Sequence, residues 1–176
     1  MTPTRRRRNR QAALSAAAVV LLLPAAACTS VSNPHAQGTV DADRRAEVAQ
    51  RGASVMPFDL DRTTHRFTKS PTGGVQSVVA DDPADATQIG LIRTHLRREA
   101  DQFRQGNFAD PARIHGPDMP GLATLRASAG QITVDYADTP DGATITYATT
   151  AVTLVTSLHA WFDAQVDDHG AHATHG

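Results

Sequence analysis

Eight histidines are the most informative feature of this 176-residue chain, which carries a single Cys and a single Trp. A neutral imidazole is the commonest metal ligand and the side chain most readily titrated near neutrality. His95 and Glu99 stand four residues apart, so on a helix they share one flank and can present a nitrogen and an oxygen to one ion, or form a solvated pair. His115 and Met119 lie in a stretch rich in Pro and Gly and pair an imidazole with a thioether, a combination that favours copper, above all the cuprous ion. Alternatively, Met119 plugs the core. His159 falls within an apolar helical stripe, where its ring needs a partner and is either a satisfied core residue or a ligand. His65 sits within a strand-like run, and His169 opens a tail with His172 and His175 that binds Cu, Ni or Zn loosely by composition. The candidate donors are therefore His65, His95, Glu99, His115, Met119, His159 and His169, with copper the favoured ion and zinc or nickel the alternatives. A second use of the same residues is acid–base catalysis on a small molecule by His95–Glu99 and His159–Asp163. A third reading is an interaction module of the cell envelope without a ligand.

Several chemistries find no support. The chain has no His-Glu-x-x-His, no paired Cys motif and no Gly-x-Ser-x-Gly elbow. Gly73-Gly74 is neither a phosphate-binding loop nor a dinucleotide fingerprint, so no nucleotide cofactor is expected. The first 27 residues hold five of the 17 basic side chains and no acid, leaving 12 basic against 18 acidic side chains in the remainder. That balance argues against nucleic acid as a partner, because phosphate affinity needs clustered positive charge.

Arg5 to Arg10 form a basic leader, Ala12 to Leu23 an apolar run, and Ala25-Ala26-Ala27 the small residues that a signal peptidase accepts. The run is shorter than the roughly 20 residues that cross a bilayer. Pro24-Ala-Ala-Ala-Cys28 resembles a bacterial lipobox, although Ala25 stands where Leu is usual. The organisation expected is a signal peptide at 1–27, a lipidated Cys28 with a tether at 28–55, a domain at 56–168 and a His-rich tail at 169–176. The mature protein would be exported and held on a bacterial membrane or envelope surface by acyl chains on Cys28. The alternative is ordinary secretion with a free Cys. The arginine pairs also permit twin-arginine export, but without the apolar residues that normally follow them.

The elements that must position the donors come from periodicity. The tether has no sustained apolar period, though a short helix fits Ala42 to Gln50. Thr63–Thr68 and Val75–Ala80 read as strands around a Gly73-Gly74 turn. Asp82-Pro83 suits a helix start, and Ile89, Ile92, Leu96, Ala100 and Phe103 recur at helical spacing. Asn107 to Gly121 reads as a loop. Gln131–Tyr136 and Thr144–Thr149 then alternate as strands, and Val152, Val155, Leu158, Phe162 and Val166 form a second stripe, with Trp161 off it. The expected fold is α+β, two strand-strand-helix units joining in one antiparallel sheet with both helices on one face.

The segments Met56-Pro57-Phe58-Asp59-Leu60, Thr64-His65-Arg66-Phe67, Gly73-Gly74-Val75-Gln76, Gln88 to Leu96, Ile114-His115-Gly116-Pro117-Asp118-Met119-Pro120-Gly121-Leu122 and Leu158 to Gln165 resemble a family of small exported bacterial proteins. Its members often carry the label "aspartate carbamoyltransferase". The resemblance spans nearly all of Met56 to Gly170. It implies no activity, and the Ser-Thr-Arg-Thr phosphate loop of that transferase is absent here. It does place His65, His95, His115 and His159 within the matching segments.

Overall fold

The computed structural model of the protein describes residues 34–176, with side chains from residue 41 onward. The leader, the signal-peptide boundary and Cys28 lie outside the described residues. Among the described residues no helix is long and apolar enough to cross a membrane.

Two hairpins build most of the sheet. Thr63–Ser70 (β1) pairs antiparallel with Gly73–Ala80 (β2), and Ser70 faces Gly73, so the turn is Pro71-Thr72 rather than Gly73-Gly74. Gly73 is needed inside the strand instead. Its φ is +146°, and a Cβ there would stand 2.1 Å from the Tyr147 carbonyl oxygen of the neighbouring strand. Thr133–Thr139 (β3) and Gly142–Ala148 (β4) form the second hairpin, and β4 pairs antiparallel with β2. Ala173–His175 (β5) then joins the free side of β1 in parallel, giving the order β3-β4-β2-β1-β5. The fold is thus α+β with one mixed five-stranded sheet, not an antiparallel one. Hairpins dictate antiparallel pairing only for the strands they connect. The tail returns to β1 after a helix, the kind of connection that permits parallel pairing.

Period-two alternation buries Thr63, His65 and Phe67 of β1, Val78 and Ala80 of β2, and Ala143, Ile145 and Tyr147 of β4 on one face. Helices Ala86–Arg104 (α2) and Val152–His169 (α5) cover that face. The first is capped by Asp85, whose side chain accepts from the Gln88 amide, so it starts after Asp82-Pro83. Its expected stripe of Ile89, Ile92, Leu96, Ala100 and Phe103 is buried.

The second helix is rotated from expectation. Leu154, Leu158, Trp161, Phe162, Gln165, Asp168 and His169 face inward, while Val152 is 78% exposed and Val155 and Val166 are half-buried. Polar residues on the buried face hid it from a reading based on apolar spacing.

Three further helices complete the fold. The expected loop contains Ala109–His115 (α3) and is followed by Leu122–Ala127 (α4). Pro111 is tolerated because it sits in the first turn of α3, where backbone N–H groups lack helical partners anyway. The tether, in turn, ends in a helix, Pro34–Val55 (α1), which packs on α3 and α5 and buries Val48. The packed body therefore reaches beyond 56–168 at both ends, into α1 and into β5.

Candidate functional site

His65, His95, His115 and His169 line one pocket between the sheet, α2, α3 and the end of α5. Each arrives for a local reason. His65 is an inward-facing position of β1, and His95 and Glu99 share the buried flank of α2. His115 ends α3, and His169 ends α5. All four histidines are at most 9% exposed. The cavity has a water-accessible volume of about 40 Å³, room for roughly one to three waters.

Three of the rings, His65, His115 and His169, are close neighbours. The His169 centroid lies 5.0 Å from that of His65 and 4.9 Å from that of His115, and both pairs are edge to face. Phe58 packs edge-on against both His65 and His95. Two imidazoles on one tetrahedral ion would hold their centroids roughly 5 Å apart, given metal–nitrogen distances of about 2.0–2.1 Å. Among the described residues, no group of three or more His, Cys, Asp or Glu side chains has its donor atoms placed to hold an ion as they stand. The separations suit coordination; the edge-to-face ring orientations would have to turn about χ2, a soft torsion.

Burial dominates the electrostatics. It lowers His65 to about 3 and His95 to about 4, and holds His169 well below its ordinary value, so these three rings are neutral at pH 7, with Nδ1 of His95 accepting from Arg98 Nη2 at 3.4 Å. Burial also lifts Glu99 to about 8, helped by the neighbouring Asp110 carboxyl. Both ring nitrogens of His65, Oε1 of Glu99 and Nε1 of Trp161 are buried without a hydrogen-bond partner. All three residues line this cavity. An unpartnered buried polar atom costs about 1–3 kcal/mol, so their convergence calls for a polar occupant.

His115 is held differently. Its Nδ1 lies 2.9 Å from Asp168 Oδ2, which leaves Nε2 as the free ring nitrogen. Arg44 of α1 clamps the same carboxylate through Nε at 2.5 Å and Nη2 at 2.6 Å, and also donates to the His115 carbonyl. Burial pushes the Asp168 carboxyl up, but the bonds from His115 and Arg44 outweigh it and keep Asp168 below the usual carboxylate range. A carboxylate orienting an imidazole from behind is the usual support of a metal-bound histidine.

Two expected donors are elsewhere. Met119 is buried in the core and does not line the cavity. His159 lies at the β1–β2 turn, where its Nε2 is 3.1 Å from the Ser70 carbonyl oxygen and 2.9 Å from that of Gly73. Two carbonyl acceptors require that Nε2 carry the proton, so His159 is a satisfied structural residue. Asp163 pairs with Lys69, and no His159–Asp163 acid–base pair forms. Conversely, Asp110 and Gln165 line the site and Asp168 supports it, although the sequence pointed to none of them, whereas Trp161, off the main apolar stripe and so able to edge a pocket, does line it. The available signal was the run of polar residues at helical spacing after Trp161, namely Gln165, Asp168 and His169. No family model matches the chain, and comparison with curated proteins and with solved structures found no match.

Proposed function

We propose that this protein is an exported, lipid-anchored domain that binds one transition-metal ion in the histidine-lined cavity and serves in its capture, buffering or delivery. The observation that carries the reading is the convergence of unpartnered buried donors, His65 foremost, with an Asp168-supported His115 at the same cavity. His65, His115 and His169 would supply imidazole nitrogens, with His95 or Glu99 completing the set. Without Met119 the donors are nitrogen and oxygen, which suits copper(II), zinc or nickel better than the cuprous ion. Cys28 would carry the acyl chains, and a membrane surface would be the partner.

The test is titration of the full chain with copper(II), followed through Trp161, the only tryptophan and a cavity-lining residue. One equivalent should quench its fluorescence, His115→Ala and His65→Ala should abolish stoichiometric binding, and His159→Ala should leave it intact provided the fold is retained. Equal binding by wild type and His115→Ala would overturn the reading. Detergent phase partition should move from the detergent to the aqueous phase in Cys28→Ser.

A further inference from the structure

His169 lines two adjacent spaces. One is the inner cavity; the other is a surface hollow of about 260 Å³ that Leu60, His172 and Arg45 also line. On the rim of that hollow the His172 Nε2 lies 3.5 Å from Asp61 Oδ1, with side chains 43% and 85% exposed. His172 is held in place rather than dangling. It belongs to the 3-10 turn Gly170–His172, and the next residue, Ala173, is already paired with His65 across the β1–β5 register. Solvent, outer imidazole and carboxylate, the shared His169 imidazole and inner imidazoles thus follow in sequence.

We infer that a divalent cation reaches the cavity through this hollow, landing on His172 and Asp61 and passing inward by rotation of the His169 ring. The inference rests on the metal-binding reading above. An imidazole with one exposed carboxylate attracts a cation yet holds it weakly, which is what a transient landing point requires. The Asp61 carboxylate also raises the local cation concentration at the rim. Arg45 lines the hollow with its Nε engaged by the Asp167 carbonyl, and its positive charge discourages an ion from resting there.

A residue on the path differs thermodynamically from a residue in the site. Removing a landing point slows association and dissociation by the same factor and leaves the Kd unchanged, whereas removing a ligand weakens the Kd. Stopped-flow mixing of the full chain with copper(II), read by Trp161 quenching, and displacement by a chelator give the two rates. His172→Ala and Asp61→Asn should each slow both rates by about ten-fold at low salt, with smaller effects at high salt for Asp61→Asn. His175→Ala, in the same tail but outside the hollow, should change neither. Unchanged rates in His172→Ala with intact binding would overturn the route alone. A weaker Kd with unchanged association would make His172 a ligand and overturn it too. Absence of copper binding by the wild-type chain would overturn both the route and the function.

Discussion

At the scale of residues the site is defined by what each side chain lacks. His65 is a fully enclosed imidazole with both nitrogens unpartnered, a placement that costs stability unless something polar enters. The titration of these groups gives a signed prediction. His65 and His95 have an ordinary value of 6.5 but folded values of about 3 and about 4, so the unfolded chain binds more protons as pH falls below 6.5 and stability drops. Glu99 acts in the opposite direction. Its ordinary value is 4.5 and its folded value about 8, so the folded state binds the extra proton between these and stability declines as pH rises to 8. Below pH 6.5 the histidines outweigh one carboxyl; above it only Glu99 slopes. Urea unfolding of the metal-free protein should therefore show greatest stability near pH 6.5, falling by on the order of 1 kcal/mol per pH unit toward pH 8. Glu99→Gln should flatten that alkaline limb, and a limb unchanged in this variant would contradict the assignment. Asp168→Asn should weaken copper affinity by about 10–100-fold, as measured by competition with a chelator, because His115 loses its orienting carboxylate.

At the scale of elements, the informative case is α5. Its inward face carries Leu158 and Trp161 alongside Gln165, Asp168 and His169, so one helix supplies both core and site. Its rotation is open to a paired test. Leu158→Ala should destabilise by about 2–5 kcal/mol through lost burial and a residual cavity, whereas Val152→Ala, at an exposed position, should stay within about 0.5 kcal/mol. Comparable losses at both positions would place the helix the other way round. The N-terminal helix α1 is likewise part of the body, since Val48 is buried and Arg44 closes over Asp168. Val48→Ala should lower the denaturant midpoint by the equivalent of about 1–3 kcal/mol without altering the slope. A helix that were only a tether would tolerate that change.

For the molecule as a whole, the mixed sheet ties the C-terminus to β1, the strand that carries His65. The parallel addition of β5 beside β1 packs the chain's end against α5, the helix that ends in His169. Binding that is confined to the folded state must raise its stability by mass action. With free copper(II) at 100 times its Kd, the gain is about 2.7 kcal/mol, which for a domain of this size corresponds to a rise in Tm of roughly 8 °C. Calorimetry with and without one chelatable equivalent checks this, and a flat Tm would exclude binding specific to the native fold. Because His169 and β5 both lie within residues 169–176, removing that tail would dismantle the site along with the edge strand, and single substitutions are the appropriate probes.

The sequence by itself determined the α+β class, both hairpins, the buried stripe of α2, and the choice of His65, His95, Glu99, His115 and His169 as residues worth watching. These follow from local periodicity and from the intrinsic chemistry of imidazole and carboxylate. It could not separate those five from Met119 and His159, because all seven have suitable chemistry and only their positions in space differ. Tertiary structure decided that His159 caps the β1–β2 turn, that Met119 fills the core, and that Asp168 stands behind His115 with Arg44 behind it. It also decided the parallel strand β5. Each of these depends on contacts between residues far apart in the chain, and no window of local sequence contains the energy of a long-range pair.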